Sequence, residues 1–565
     1  MIAAALREAL ADKSLISSLP QNLMAGITVG IVALPLSMGL AIASGVPPQH
    51  GLYTAIIGGI LIALLGGSRV NISGPTAAFV VVLLPVVQQY GLGGLLLSGV
   101  MAGVMMIGFG LFRLGRLIQV IPYPVIVGFT SGIGTVIGFL QLKDFLGLQP
   151  EDTGISFLEK IRGLAVALPS LRWQELLVGA LTLATLILWK RVPGRIPAYL
   201  VALLLGLGLA ALFNGNANLP DIDTIASRFR FEIGGVIGAG IPPIAPHFVL
   251  PWNLPGPDGN PIGLSIGMLQ SLTGAALAIA LLGALESLLC ATVADGMTGE
   301  RHNPDSELIG QGIGNIGVAF FGGIPVTAAI ARTATNIRSG GSTPVAAIVH
   351  GLFILLAILL LAPILSRVPM ASMAAVLMIV AWNMSEVRHA ARIVTRAPRP
   401  DVMVFLVCYS LTVLVDMQVA VAVGLALASV LFIKRITELT ETSVIDTQHP
   451  HAEHQQIEGL VVYDVNGPLF FGAAHKALKV LSAVDRRVHT VVLDIKDVNL
   501  LDTTAMSNLE SIAQELAERG TSLCLIHVKP ELQQKMKRYG LFRGNKGIQL
   551  ADNLDEVIGN LRATA

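Results

Sequence analysis

Three long stretches of this chain carry no charged side chain. Met24 to Ser68, Val70 to Phe112 and Leu117 to Leu142 contain no Asp, Glu, Lys or Arg, and only Arg69, Arg113 and Arg116 interrupt them. A helix needs about 20 apolar residues to cross the hydrocarbon core of a bilayer. The three runs therefore hold about five spans, punctuated at Pro47-Pro48, Gly66-Gly67 and Gly93-Gly94. Only 13% of the residues are charged and 53% are hydrophobic, where a soluble domain averages about 25% charged. The net charge of +1 gives no electrostatic support for nucleic acid as a partner.

Two interruptions inside these membrane-grade regions echo each other. One reads Asn71-Ile72-Ser73-Gly74-Pro75-Thr76-Ala77-Ala78-Phe79; the other reads Gly323-Ile324-Pro325-Val326-Thr327-Ala328-Ala329-Ile330-Ala331-Arg332. Lipid offers no partner for freed N–H and C=O groups, so a proline-broken backbone survives there only when buried in protein or lining a wet cavity. Paired interruptions in two halves of a chain point to a transporter's substrate site. The pattern predicts two half-helices with their N-termini facing each other near the bilayer midplane. Both dipoles then favour an anion at one spot.

The remaining chain fits a duplicated plan. Residues 1–21 read as a short amphipathic segment with no cleavage pattern after it, so no removable leader is expected. Residues 22–213 form a first repeat of roughly seven spans, the last two near Glu175–Lys190 and Pro197–Phe213. Residues 214–260, with Asp221, Asp223, Arg228, Arg230 and Glu232, are too polar to span and read as an extramembrane loop. Residues 261–436 form a second repeat, again of roughly seven spans. Its long first helix, near Leu264–Val293, carries one acid, Glu286. Basic residues flank spans on both faces, so the positive-inside signal is mixed. Residues 437–456 read as a polar linker with His449, His451 and His454, solvated rather than metal-binding. Residues 457–565 read as a small α/β domain. Strands are expected at Gly459–Val465, Val488–Ile495 and Ser522–Val528. Helices are expected at Ala473–Val484, Thr503–Glu518, Pro530–Tyr539 and Asn553–Arg562. Cys290, Cys408 and Cys524 fit neither a disulfide framework nor a metal motif, and no cofactor is expected.

Several motifs together resemble the sulfate permease (SulP) family, to which the animal anion exchangers and prestin also belong. They are Ala25-Gly26-Ile27-Thr28-Val29-Gly30 leading to Leu34-Pro35, Gly45-Val46-Pro47-Pro48 with Gly51-Leu52-Tyr53, and Ser73-Gly74-Pro75-Thr76. The second half adds Glu307-Leu308-Ile309-Gly310-Gln311-Gly312 and Asn336 to Ser342, and the tail is similar to a STAS domain around Leu501-Asp502-Thr503-Thr504. Within the family, Pro75–Val81, Gly283–Cys290 and Ala381–Glu386 look most like bacterial transporters of four-carbon dicarboxylates such as succinate. The resemblance implies an α-helical polytopic membrane protein with a seven-plus-seven inverted repeat (14 segments) and a small cytoplasmic α/β STAS domain. Segments 1–4 and 8–11 would form a substrate-carrying core that moves like an elevator against a gate made by the others. It implies a homodimer in the cell inner membrane with both termini cytoplasmic, and the STAS domain as a place for a regulator.

A few residues would carry the chemistry. Arg332 is a guanidinium in a membrane segment, which is costly and usually marks a pathway; it holds an anionic substrate or pairs with Glu286. Glu286 carries a proton, holds sodium, or neutralises Arg332. In sodium-dependent relatives the resemblance points to an Asp and, one turn later, a Thr, where this chain has Glu286 and Cys290. A thiol is a poor ligand for a hard cation, so proton coupling is the preferred reading. Thr76 and Thr327 occupy equivalent points of the echo. With the backbone of Ala77, Ala78, Ala328, Ala329, Ile330 and Ala331 they would cradle a carboxylate or sulfate. Ala33, Leu36, Ser37 and Leu40 of the first helix would line the pocket, and the apolar Ala33 suits a substrate with a carbon skeleton. Asp502 reads as a helix N-cap. The expected function is proton-coupled uptake of a dicarboxylate. The alternatives are sulfate or bicarbonate transport, coupled to protons or sodium, and an uncoupled anion channel or sensor. No nucleophile–base pair, metal cluster or nucleotide loop suggests an enzyme.

Overall fold

The computed structural model describes residues 2–115, 122–150, 157–191, 197–216, 219–233, 235–415, 417–439, 441–444, 459–470, 474, 481, 487–542 and 547–564. Arg116, Asp416, the linker histidines and nearly all of the helix expected at Ala473–Val484 lie outside them. The chain forms two units, Met1–Leu425 and Ala426–Ala565.

The first unit opens with a short helix, α1 (Ala4–Ala11), followed by α2 (Leu19–Ala43) and α3 (Pro48–Leu65). After the two-residue strand β1 (Ser73–Gly74) comes α4 (Ala77–Leu111), bent at Gly91, where φ is 69°. Its two limbs count as separate segments. Then follow α5 (Tyr123–Leu146), α6 (Trp173–Leu188) and α7 (Ala198–Asn214). A hairpin of β2 (Arg230–Ile233) and β3 (Val236–Ala239) lies in the polar stretch between halves. The second half repeats the plan with α8 (Ile266–Thr298), α9 (Pro304–Phe320), strand β4 (Thr327–Ala328) and α10 (Ile330–Arg338). It continues with α11 (Val345–Leu365), α12 (Met370–Met384), the amphipathic α13 (Val387–Arg396), α14 (Arg399–Leu414) and α15 (Met417–Leu439). Setting α13 aside, each half supplies seven helical segments among the described residues; eight helices of the described residues are long and apolar enough to cross a membrane, and α6 and α7 are shorter apolar ones. Helix α8 runs past the expected end, so Asp295 joins Glu286 on it and accepts from the His302 amide at 3.1 Å.

Helix packing sorts these segments into two bundles. One joins α4 to α8 and α9, and α2 to α11; the other joins α5 to α12 and α14, and α6 to α7 and α12. Segments 1–4 and 8–11 thus pack as one body and α5, α6, α7, α12 and α14 as another. The core body is tight because small residues meet across it. A Cβ on Gly103 of α4 would lie 2.6 Å from the Gly312 carbonyl of α9, and one on Gly312 would lie 2.6 Å from the Gly103 carbonyl. Only glycine at both positions lets the two backbones touch.

The second unit holds a five-stranded sheet in the order β5 (Glu441–Val444), β6 (Leu460–Asn466), β7 (Thr490–Asp494), β8 (Ser522–Ile526) and β9 (Ile548–Leu550). Strand β5 is antiparallel to β6 and the other pairings are parallel. Helices α16 (Thr503–Glu518), α17 (Pro530–Tyr539) and α18 (Leu554–Thr564) complete the described part. Leu509, Ala513 and Leu516 of α16 join the buried core with Val491, Leu493 and Leu525. Asp502 caps α16 by accepting from the Ala505 amide at 2.8 Å. Strand β5 corrects the 437–456 linker: Thr442 pairs with Val465, so the sheet begins inside it.

Candidate functional site

The two proline-broken stretches meet. Strands β1 and β4 pair antiparallel, Ser73 opposite Ala328 and Gly74 opposite Thr327. This small ladder satisfies backbone groups that the breaks release, at a depth where each orphan costs several kcal/mol. Buried side chains satisfy others. Asn315 of α9 donates to the Val326 carbonyl at 2.8 Å and accepts its amide at 2.9 Å. Thr333 of α10 accepts the Ile72 amide at 2.9 Å, and Asn336 donates to the Val70 carbonyl at 2.9 Å. Glu307, 1% exposed, accepts from the amides of Gly67 and Ser68 and from the side chains of Asn71 and Gln311. The family-like motif around Glu307 is thus a brace for the first break.

Helix α4 starts at Ala77 with Thr76 as N-cap, and α10 starts at Ile330 with Ala329 as N-cap. The first-turn amides of each have no acceptor four residues back, so both helix mouths present donors. The Thr76 hydroxyl leaves its own helix uncapped and donates to Glu286 Oε2 of α8 at 2.9 Å. Arg332, the third residue of α10, is 2% exposed and donates through Nη2 to the Pro75 carbonyl at 2.6 Å. Its Nη1 has no acceptor among the described residues. Arg332 and Glu286 form no ion pair within 4.0 Å, but their charges act on each other through space. Glycine at position 74 makes room for the guanidinium: a Cβ there would lie 2.1 Å from Nη1.

Both groups line a cavity of about 590 Å3. Most of its wall is apolar, from Leu36 and Leu40 of α2, Phe129 of α5, Leu282, Leu285 and Leu289 of α8, and Val380 of α12. It extends past Ile126 at the start of α5, Thr292 late on α8 and Asn383 at the end of α12. These ends share a face with α1, because Arg69 after α3 pairs with Asp12 after α1 at 2.7 Å and with Glu300 after α8 at 3.6 Å. The cavity therefore reaches toward the amino-terminal face.

Leu36, Leu40, Thr76, Ala77, Ala78, Glu286, Ala329, Ile330, Ala331 and Arg332 line this cavity. Four of the expected residues do not. Ala33 and Ser37 are fully buried; Ala33 packs with Leu52 and Ile354. The Ser37 carbonyl lies so close to α3 that a Cβ on Gly51 would be 2.0 Å from it. The cavity face of α2 is the Leu36–Leu40 stripe, rotated from the one through Ala33. Thr327 and Ala328 belong to β4, not to a helix cap. The Thr327 hydroxyl bonds Ser287 Oγ at 2.7 Å and the Gly283 carbonyl at 3.1 Å, and the Ala328 amide donates to Ser287 Oγ at 3.3 Å. The Ala329 side of the mouth lines the cavity, but its amide is spent on the Ile72 carbonyl at 2.9 Å. The gate-side wall, with Thr130, Tyr199, Asn383 and Glu386, was missed. Of these, only Asn383 and Glu386 stood in a stretch singled out for another reason.

A helical bundle with a duplicated seven-segment plan, broken helices at its centre and a cavity between its bodies that both broken stretches line defines a membrane transporter. Sequence comparison agrees. The model of the sulfate permease family matches residues 19–408 and that of the STAS domain residues 451–557. The chain belongs to the sulfate permease family; it is a multi-pass anion transporter, not an enzyme. A putative sulfate transporter, YvdB of Bacillus subtilis (strain 168), is 39% identical over 95% of this chain and 97% of its own length. The bicarbonate transporter BicA of Picosynechococcus is 29% identical over 92% of this chain and 91% of its own. The solved structure of SLC26A9 shares the fold, with TM-score 0.84 at 16% identity over 99% of this chain and 92% of that one.

Proposed function

We propose that this protein is a secondary active transporter that takes up a small organic dianion, a dicarboxylate such as succinate, together with protons. The observation that carries the reading is a cavity that brings Arg332, the Glu286 carboxylate and two helix mouths together within largely apolar walls, with a second carboxylate, Glu386, just past the end of α12. The anion sits at the amides of Ala77, Ala78, Ile330 and Ala331 and at the Arg332 guanidinium, where helix dipole and fixed cation add. The apolar walls fit a carbon skeleton. The stretches Pro75–Val81 and Ala381–Glu386 that resemble DauA, a bacterial transporter of four-carbon dicarboxylates, lie at this cavity. Glu286 is the proton carrier. When neutral it removes a negative charge from beside the substrate; when ionised it accepts from Thr76 and repels the anion. Sodium fits less well: one turn along α8 from Glu286, Cys290 donates its thiol to Thr333 Oγ1 at 3.3 Å, and sulfur suits a hard cation poorly. The core body carries the site past the gate body in an elevator movement, with the cytoplasmic STAS domain near the two-fold axis of a homodimer in the inner membrane.

A second reading, transport of sulfate or bicarbonate through the same site, is favoured by the names of the relatives YvdB and BicA. Uptake of labelled succinate, sulfate and bicarbonate into proteoliposomes, with and without a pH gradient, separates the two. Saturable succinate uptake driven by an inward proton gradient is expected. Sulfate uptake without succinate uptake overturns the first reading in favour of the second, and flux that does not saturate with any anion overturns both in favour of a channel.

A further inference from the structure

Helix α13 joins the end of α12 at Met384 to the start of α14 at Arg399. Two spans therefore hold it at the membrane boundary, on the face the cavity reaches. Its sequence, Val387-Arg-His-Ala-Ala-Arg-Ile-Val-Thr-Arg396, divides by helical spacing into two sides. Arg388, Arg392 and Arg396 stand four residues apart and form one stripe, and all three are exposed. None of them forms an ion pair among the described residues. The acids nearest along the chain are Glu386, which takes His389 at 2.9 Å, and Asp401. On the other side Ile393 is buried, while Val387 is 45% and Val394 48% exposed. Two aromatic side chains of the interface type, Trp382 and Tyr123, are exposed beside it, and the Tyr123 ring meets His389 edge-on at 6.3 Å.

An apolar edge left open to the bilayer, an unpaired arginine stripe and flanking Trp and Tyr are the parts of a helix lying in the headgroup plane. We propose that α13 is an in-plane helix whose Arg388, Arg392 and Arg396 bind the phosphates of anionic phospholipid headgroups. Guanidinium and phosphate match as forked donors and acceptors, and basic clusters next to a span draw anionic lipid. The occupant is lipid rather than free phosphate because Val387 and Val394 need acyl chains against them and a soluble anion would leave them wet. None of the three arginines lines the transport cavity, and the site stands whatever anion is carried.

The test is lipid binding by the full-length protein in detergent. Native mass spectrometry and melting temperature are recorded with phosphatidylglycerol, with phosphatidylcholine and with inorganic phosphate alone. Retention of phosphatidylglycerol and a rise in melting temperature with it, but not with phosphatidylcholine or phosphate, are expected. The triple variant R388Q/R392Q/R396Q should lose the preference for the anionic lipid by about ten-fold or more, while melting unchanged in phosphatidylcholine. A triple lysine variant should keep most of it. Equal retention of both lipids, an undiminished preference in the glutamine variant, or the same stabilisation by phosphate alone overturns the proposal.

Discussion

The two helix mouths at the centre of the molecule share a backbone plan and differ in chemistry. At each, a proline-containing stretch leaves the helical path, pairs for two residues with the other, and restarts a helix. The mouth of α4 carries no charge of its own; its Thr76 reaches across to the carboxylate on α8. The mouth of α10 carries the arginine, which reaches back to the carbonyl of Pro75 on the other break. Each break thus lends a group to the opposite one. The repeat fixes where donors converge, and the departures from it fix which charge sits there. A strictly symmetric pair would hold either two arginines, which repel, or none.

Removing Arg332 tests that asymmetry most severely. Arg332→Ala should lower uptake by about a hundred-fold or more, since a buried charge that meets its partner directly is worth about 2–5 kcal/mol. Folding should persist, because Nη2 makes one bond and the β1–β4 ladder remains. Radiolabelled uptake and the melting temperature check the two halves of this statement; normal transport by the variant removes Arg332 from the site. Gly74→Ala comes next. The new methyl would start 2.1 Å from Nη1, so the guanidinium must shift while its charge stays in place. Uptake should fall by about ten-fold, with an off-target guanidinium costing a little over 1 kcal/mol of the bond's worth. An unchanged KM for Gly74→Ala would mean that position matters less than charge at this mouth.

The same contrast explains what could be read in advance. Charge-free runs and paired prolines are local features, and they announced the spans, the breaks and the arginine. The register of the second break is not local. Thr76-Ala77-Ala78 and Thr327-Ala328-Ala329 look alike, yet α4 starts at Ala77 while α10 starts at Ile330, two residues later than the likeness implies. Pairing with Gly74 and Ser73, hydrogen bonds to Ser287 Oγ, and the Ala329 amide donating to the Ile72 carbonyl, all far away in the chain, hold Thr327 and Ala328 in a strand. Half of the expected α2 stripe, Ala33 and Ser37, was misjudged for a similar reason, while Leu36 and Leu40 do meet the cavity. Which side of a uniformly apolar helix faces a void depends on where α3 packs, and composition is silent on that. The gate-side residues Tyr199 and Thr130 come from helices brought to the site by packing between distant segments, with no motif to mark them. The edge strand β5 hid in a polar stretch because Glu441-Thr442-Ser443-Val444 has little apolar alternation.

Glu286 sharpens the comparison from the other side. If the carboxylate on α8 is where protons enter the cycle, uptake by the native protein should rise as the outside is acidified. Glu286→Gln keeps the shape and holds position 286 neutral at every pH, so the slope of uptake against pH should flatten. Exchange of anion for anion should continue within a few-fold of the native rate, since the arginine and both mouths are intact. Uptake measured against pH on both sides of the liposome decides it: a pH dependence unchanged in the variant moves the coupling group elsewhere.

The smallest effect belongs to an arginine outside the membrane, and it tells whether charge matters for its depth or merely for its presence. Arg69 pairs with Asp12 at 2.7 Å and with Glu8 and Glu300 at 3.6 Å, all three acids well exposed. Hydrogen bonds from Ser14, aided by Arg69, hold the Asp12 carboxyl at about 2, below its ordinary 3.8. A carboxyl depressed on folding stabilises above its unfolded value and loses that stabilisation as pH falls through its folded one. The contact between the stretch after α1 and Arg69 should therefore be intact above pH 4 and loosen toward pH 2. Hydrogen exchange at Ser14, whose amide donates to Asp12 at 2.9 Å, would follow it. At neutral pH, Asp12→Asn should leave uptake within about two-fold of native, as solvent-screened pairs contribute little. A loss there approaching that of Arg332→Ala would show that the cavity arginine owes nothing special to the two mouths around it.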